Sequence, residues 1–287
     1  TSKYFRVKVW RDKKEFSQVF EENNEHTVHE PMIVPHKGLG TGTQIEFKIS
    51  KNVFKHRMLP ESFIRARMYE AALCYPKLKL YYNNEKVVVK SIEKDIFPKH
   101  KPITFDIEDG SFKSQFWLVP QFFDNGSEMA HGMVNAIPMF NGGVHVETFK
   151  RNFFAGMLKA LEPQSKKRKL SPNRSDLADG MLIFNITQMD APEFDSQSKT
   201  RLINEGVAKI INKAMADEDF FKTVIRKYPD WIDNVFERCA ERTQKKDNAE
   251  LVDFEYVFLL GLFLQNLSIL KKGWIFYLFL PRQYHWF

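Results

Sequence analysis

The sequence predicts an α+β fold of two units, followed by a C-terminal tail of different composition. The chain has 287 residues, of which 43% are apolar, so it is long enough for one large domain or two modest ones with a real core. The first part is rich in strand-like alternation with one clear helix, whereas strong helical patterns follow later. A polar linker with two prolines lies at residues 98–102. We therefore expect units over residues 1–97 and 98–251, and a tail over residues 252–287.

Composition limits the function classes that need to be considered. The balance of apolar and charged residues excludes a disordered chain, a collagen-like fibre and a polytopic membrane protein. Because only Cys74 and Cys239 are present, no disulfide framework or cysteine-based zinc site is expected, and a reducing, cytoplasmic setting is favoured. The net charge of +7 favours an anionic partner, with nucleic acid as the first candidate. Since the chain begins without methionine or an apolar signal segment, we expect a fragment.

The first unit is predicted from alternating strands, one helix and a hairpin. Glycines at positions 38, 40 and 42 predict a loop over residues 36–43, just before the last of the long strands. Pro60 is expected to open a helix, since proline suits the first turn. Residues 77–89 read as a hairpin with Asn83 and Asn84 at its turn. The long strands are predicted at residues 4–10, 16–20 and 43–49.

The second unit is predicted from a hairpin, a strand and several helices. The hairpin turns at Asp109-Gly110, and the strand covers residues 181–186. A basic loop is expected at residues 166–169, between a long helix and that strand. Another helix follows residue 202, and helical sequence continues to about residue 248. The apolar stripe that predicts the long helix consists of Val146, Phe149, Phe153, Met157, Leu158 and Leu161.

The tail, residues 252–287, is much richer in aromatic residues than the rest of the chain. Its apolar stretch at residues 257–270 is shorter than the ~20 residues needed to cross a bilayer, so we expect no membrane partner. No fold is predicted for the tail. One hypothesis is translation from a shifted or interrupted reading frame, and the other is a membrane- or partner-binding segment.

Three short motifs occur in a fixed order along the chain. They are Thr41 to Phe47 (TGTQIEF), Val134 to Val146 (VNAI followed by NGGVHV) and Phe194 to Thr200 (FDSQSKT). Together they resemble the ATPase region of the type IIA DNA topoisomerases, which include gyrase B and topoisomerase IV. The resemblance is strongest to the T-even-type bacteriophage form, so the cytoplasm of a host cell is an expected location.

The resemblance implies both a fold and an activity. Residues 1–97 would be the C-terminal part of a GHKL-type ATPase domain, and residues 98–251 a transducer domain like domain 2 of ribosomal protein S5. The parent enzyme would pass one DNA duplex through another, using ATP and Mg²⁺. Its partners would be double-stranded DNA, a second copy bound through the ATPase arms, and other topoisomerase subunits. This segment would couple ATP binding to dimerisation of the arms.

Gln197 and Lys199 are the main candidate cofactor-binding residues. In the resembling family this loop reaches the ATP site, so Lys199 would contact the γ-phosphate and Gln197 would add a neutral hydrogen bond. A preplaced cation is well suited to charge that develops on a transferring phosphoryl group. Ser198 replaces the family's usual threonine and keeps a hydroxyl. The alternative is a solvated loop in which Asp195 or Ser196 caps the following helix.

Three further predictions concern residues outside that loop. By resemblance, Thr43 would join the hydrogen-bond network around adenine, and the alternative is a half-buried strand threonine. The basic cluster (Lys166, Lys167, Arg168 and Lys169) is a candidate DNA-binding site, with a solvated surface loop as the alternative. A histidine among apolar helix positions, such as His145, is more often a satisfied structural residue than a ligand, and no metal-binding spacing stands out.

Several motifs of the resembling family are not found in this sequence. The catalytic glutamate, the magnesium-binding asparagine, the adenine-reading aspartate and the ATP lid would all precede residue 1, so the magnesium ligands would not be in this chain. No acidic metal cluster for DNA cleavage follows Asn248. We therefore expect this chain alone to be inactive as an ATPase. The alternatives are a non-catalytic DNA-binding or assembly module of the same fold, and a mismatch-repair or chaperone ATPase of the same superfamily.

Overall fold

The computed structural model of the chain describes residues 2–22, 28–38, 40–55, 59–123, 126 and 128–245. The predicted tail, residues 252–287, therefore lies outside the described residues. The chain divides into two compact units between Val89 and Lys90. This division falls eight residues before the linker-based boundary at residues 97 and 98. Phe97 is buried and packs edge-on against Phe184 of the second unit, with ring centroids 6.2 Å apart.

The first unit contains a four-stranded antiparallel sheet, a helix and a short hairpin. The spatial order of the sheet is β3-β2-β1-β4. The hairpin turns at Asn83 and Asn84, both with left-handed backbone angles, as a two-residue turn of this type requires. The elements are β1 (Ser2–Arg11), β2 (Lys14–Glu21), β3 (Met32–Pro35), β4 (Gly42–Ile49), α1 (Glu61–Cys74), β5 (Tyr81–Tyr82) and β6 (Glu85–Lys86).

The second unit contains a five-stranded mixed sheet with helices. The spatial order is β10-β9-β11-β8-β7, in which β9 and β11 run parallel and the other pairs run antiparallel. The elements are α2 (Ile92–Asp95), β7 (Ile103–Asp109), β8 (Phe112–Val119), β9 (Met129–Val134), β10 (Ile137–Pro138), α3 (Val144–Arg168), α4 (Arg174–Ala178), β11 (Leu182–Gln188), α5 (Glu205–Ala214), α6 (Glu218–Lys227) and α7 (residues 229–245).

The core of the second unit lies between the sheet and α3. The predicted apolar stripe of α3 is buried except for Leu158, which is half-buried, and the ring of Phe149 stacks on Phe116 of β8 with centroids 3.7 Å apart. Helices α5, α6 and α7 add buried side chains to the same core. A smaller cluster around Phe97 and Phe184 covers the opposite face, where the indole of Trp117 donates to Glu93 at 2.8 Å. Burial on both faces holds the sheet rigidly, so the loops at its ends have a fixed base.

Two predictions of secondary structure need correction. Residues 32–35 form an edge strand, which the glycine-based loop prediction did not include. Residues 166–168 are helical rather than a loop, since they form the last turn of α3, and Lys169 ends the helix with a left-handed backbone. Lysine and arginine are good helix formers, and cations are favourable at a helix C-terminus, which explains why this charged run stays helical.

Candidate functional site

Gln197 and Lys199 lie at the tip of the connection between β11 and α5, residues 189–204, which we call the 189–204 loop. The tip is a tight turn, in which the Lys199 amide donates to the Ser196 carbonyl at 3.0 Å. Lys199 has a left-handed backbone with φ of 56°. All side chains from Asp195 to Lys199 are exposed. The structure therefore brings the two candidate residues together and presents both to solvent.

The two arms of the 189–204 loop pair with each other beneath this tip. Phe194 and Leu202 form an antiparallel bridge, and the Asp195 amide donates to the Arg201 carbonyl at 3.1 Å. The side chain of Leu202 is fully buried in the core. The predicted cap at Asp195 or Ser196 is wrong, since α5 begins later and its N-cap residue is Asn204. The tip is thus a protrusion on an anchored base.

The start of α3 anchors the second arm. Gly143 forms a parallel bridge with Leu202, and the Val144 amide donates to the Leu202 carbonyl at 3.0 Å. The Asn141 amide donates to the Thr200 carbonyl at 3.0 Å, and its side-chain nitrogen donates to Thr200 Oγ1 at 3.1 Å. A Cβ atom at Gly143 would lie 2.7 Å from the Leu202 nitrogen, so this close approach requires glycine.

Two side-chain contacts complete the anchorage. Arg201 donates to Glu147 in the first turn of α3 at 2.8 Å. Asn135, in the turn between β9 and β10, donates to the Met189 carbonyl at 2.9 Å and accepts from the Met189 amide at 3.1 Å. The VNAI and NGGVHV motifs therefore support the loop that carries the QSK motif. Sequence reasoning missed Arg201 and Glu147 as support, because they lie far apart along the chain.

Lys199 also contacts an aromatic ring inside the loop. Its Nζ atom lies 5.6 Å from the ring centroid of Phe194, within the range of a cation–π interaction. Phe194 is half-buried and packs against the core of the second unit. An exposed cation on a firmly based loop can bind an anion such as phosphate.

His145 lies next to this anchorage, in the first turn of α3. Its side chain is fully buried, and neither ring nitrogen has a hydrogen-bond partner among the described residues. Burial lowers the pKa of the imidazole from 6.5 to about 3, so the ring is neutral at physiological pH. The prediction of a buried structural histidine is confirmed, but the expected hydrogen bonds are not found within the described part of the chain.

The basic cluster lies at the opposite end of α3 from the 189–204 loop. With a rise of 1.5 Å per residue, the two ends of this helix are roughly 35 Å apart. All four side chains are exposed. Arg168 is partly committed, because it donates to Asp233 of α7 at 2.5 Å and its guanidinium lies 4.5 Å from the ring centroid of Phe236. The three lysines are therefore better candidates for phosphate contacts than Arg168.

Thr43 lies in the first unit, on β4 opposite Val9. Its side chain is exposed, so the alternative of a half-buried threonine is wrong on burial. Within the described ranges, no group of three or more His, Cys, Asp or Glu side chains could hold a metal ion. No helix in the same ranges is long and apolar enough to cross a membrane.

Comparisons of the sequence with known proteins agree on one family. The sequence model described as DNA gyrase B matches residues 80–253. The B protein of a type 2 topoisomerase from Aquifex aeolicus is 22% identical over 264 residues, which cover 87% of this chain and 33% of the relative. A DNA gyrase B protein from Thermotoga maritima is 23% identical over 274 residues, covering 87% of this chain and 42% of the relative. The chain thus spans less than half the length of these relatives.

Comparisons with solved structures agree on the fold. The ATPase and transducer domains of DNA topoisomerase II from Balamuthia mandrillaris match with a TM-score of 0.69 at 18% identity, covering 85% of this chain and 62% of that chain. The topoisomerase IV ATP-binding domain of Francisella tularensis matches with a TM-score of 0.64 at 19% identity, covering 84% and 70%. The predicted α+β fold class is confirmed, whereas the closeness to bacteriophage enzymes stays a prediction. Because the family match covers more than half of its residues, this chain belongs to the DNA gyrase B family.

Proposed function

We propose that this chain is part of an ATP-dependent type II DNA topoisomerase, and that its 189–204 loop couples ATP binding to dimerisation of the ATPase arms. The observation that carries the proposal is the exposed Lys199 at the tip of a loop whose base is bonded to α3. A cation placed in this way can report the γ-phosphate to the whole second unit. The similarity to proteins named as type 2 topoisomerase and DNA gyrase components supports the reaction class.

The coupling needs a contact that differs between nucleotide states. A lysine that touches only the γ-phosphate of ATP supplies such a difference, because the contact is lost when the phosphate leaves. Gln197 would add a neutral hydrogen bond from the same turn. Since Asn141, Gly143 and Glu147 tie the base of the loop to α3, movement of the tip would move the helix.

The first unit supports an assignment to part of a larger ATPase domain. One face of its sheet carries apolar side chains that pair across the strands, including Phe5 opposite Phe47 and Val7 opposite Ile45. Ile33, Ile45 and Phe47 are each more than half exposed. Sheets with one apolar face normally pack against a second layer. In this proposal Thr43 would contribute to the adenine site, and the Mg²⁺ ligands would come from protein outside this chain.

The decisive experiment is substitution of Lys199 in the full-length protein. Lys199→Ala is expected to lower the ATPase rate at least about tenfold and to abolish analogue-induced dimerisation, while adenine binding is retained, because a preplaced cation is removed from the transition state. Steady-state ATP hydrolysis and light scattering with a non-hydrolysable analogue would measure both effects. Lys209→Ala, at an exposed lysine on α5, is the matched control. Unchanged turnover in the Lys199 variant would refute the assignment.

The basic cluster is proposed to bind the DNA backbone without sequence preference. Replacing Lys166, Lys167 and Lys169 together by glutamine should weaken duplex binding and reduce the slope of log K against log salt by up to about 2.7, if each contacts one phosphate. Binding isotherms at several salt concentrations would measure this slope. Arg168 is left in place because its contacts with Asp233 and Phe236 serve packing.

A control variant with the same loss of charge separates a local site from net charge. Lys48, Lys77 and Lys79 are exposed lysines of the first unit, and their replacement by glutamine removes the same three charges. An equal loss of binding in both triple variants would show that total charge, and not the basic cluster, attracts DNA. Duplex binding without any nucleotide-dependent dimerisation of the full-length protein would favour the alternative, a passive DNA-binding module of the same fold.

A further inference from the structure

Lys199 combines full exposure with a defined place for its ammonium group. A lysine side chain loses about 2 kcal/mol of rotamer entropy when it is held in one geometry, so an exposed lysine at a loop tip is normally mobile. Here the Nζ atom lies 5.6 Å from the ring centroid of Phe194. The ring thus provides a resting position for a charge that would otherwise sample many rotamers.

The ring itself is well fixed. Phe194 packs against the buried core of the second unit, and its backbone bridges the fully buried Leu202. The backbone of Lys199 is fixed as well, by the hydrogen bond to Ser196 and by its left-handed conformation. Both partners of the contact therefore start from defined positions.

The type of partner matters for an anion-binding lysine. Within the described ranges, no carboxylate forms an ion pair with Lys199, although Asp195 lies in the same turn. A carboxylate would neutralise the ammonium and compete with an incoming phosphate. An aromatic face attracts the cation through its quadrupole, yet it leaves the positive charge unneutralised and the ammonium protons free to donate.

We propose that Phe194 is the positioning residue of Lys199: its ring holds the ammonium ready for a phosphate without neutralising it. The inference rests on the proposed function of the 189–204 loop. Cation–π interactions at exposed sites correspond to about a two- to fivefold change in an equilibrium, so the ring tunes the position of Lys199 rather than determining whether the loop folds.

The test uses the 287-residue chain and the NMR signals of the Lys199 ε-protons, which are assigned with Lys199→Arg. A ring beneath the side chain shifts these protons upfield. When Phe194 is replaced by mono-, di- and trifluorophenylalanine, the ring keeps its shape but loses its attraction for cations. The upfield shift and the order of the Lys199 side chain are expected to fall with each fluorine, and Phe194→Trp is expected to preserve them. Equal signals across the fluorinated series would overturn the proposal.

A second arm separates this proposal from the function on which it rests. Inorganic triphosphate is titrated into the wild type, Phe194→Leu and Phe194→Trp, and thermal unfolding of each variant checks that the fold is kept. Phe194→Leu is expected to bind triphosphate about two- to fivefold more weakly, and Phe194→Trp no more weakly than the wild type. Equal affinity in a folded Phe194→Leu variant would contradict the positioning role. A Lys199 that responds to the fluorinated rings but not to triphosphate would instead contradict the nucleotide-sensing function.

Discussion

Acidification from pH 7 to pH 4 is expected to lower the free energy of unfolding by about 3 kcal/mol through His145 alone. The imidazole is fully buried in the first turn of α3, and burial lowers its pKa from 6.5 to about 3. In the unfolded chain the same group has its ordinary pKa. Between these two pKa values the unfolded state binds one more proton than the folded state. Stability therefore falls as the pH falls below 6.5, by about 1.4 kcal/mol per pH unit, until the folded state is protonated as well.

His145→Gln isolates this contribution, because glutamine is polar and of similar size but does not titrate. Carboxylates also weaken the fold in acid. One example is Glu93, whose pKa is lowered by the hydrogen bond from Trp117, and this effect is common to both proteins. Urea unfolding at a series of pH values should show that the wild type loses stability more steeply than His145→Gln between pH 6.5 and 4. Parallel curves would show that His145 is accessible to solvent or protonated in the folded state.

The surroundings of His145 explain how a neutral imidazole is accommodated there. The backbone of Gly132 on β9 leaves room for the ring, since a Cβ atom at that position would lie 3.2 Å from Nε2. Asn185, the neighbouring residue on β11, uses its amide nitrogen for Ser114 and Gln115 and accepts from Thr187 with its oxygen. These polar groups are occupied with one another, so none of them offers compensation when His145 gains a proton.

The strands and the long helix follow from local patterns in the sequence. Alternation of apolar and polar residues predicts β1, β2 and β4, and the apolar stripe predicts α3. The edge strand at residues 32–35 was missed, because four residues carry too little alternation and its hydrogen bonds come from β2. The basic run was assigned to a loop on its charge, although the helix dipole and the intrinsic propensity of lysine favour a helix there.

The support of the candidate site could not be predicted in the same way. The QSK turn was placed on a loop because its residues are polar and lie between a strand and a helix. Its anchors, Glu147 for Arg201 and Asn141 for Thr200, are separated from their partners by more than 50 residues. No local pattern predicts such pairs. The resemblance placed both motifs in one family, and the structure gives the physical reason, namely that one motif supports the other.

This support leads to the second large effect, which is expected for Gly143→Ala. The added Cβ atom would lie 2.7 Å from the Leu202 nitrogen and 2.9 Å from its oxygen, and backbone atoms cannot turn aside as a side chain can. The residue also has φ of 147°, which is strained for any L side chain. Strain and loss of the hydrogen bond from Val144 to Leu202 together should lower the free energy of unfolding by about 3 kcal/mol.

Gly206→Ala is the matched control, since this glycine lies in α5 and nothing is within 4 Å of the added atom. That substitution should stabilise the chain by about 0.5–1 kcal/mol. Urea unfolding of both variants measures the difference, and equal stabilities would show that the 189–204 loop is not anchored at Gly143. Hydrogen exchange at residues 200–202 should accelerate in Gly143→Ala alone. In the full-length protein the same substitution should uncouple ATP binding from dimerisation although Lys199 is unchanged, because the loop would no longer move together with α3.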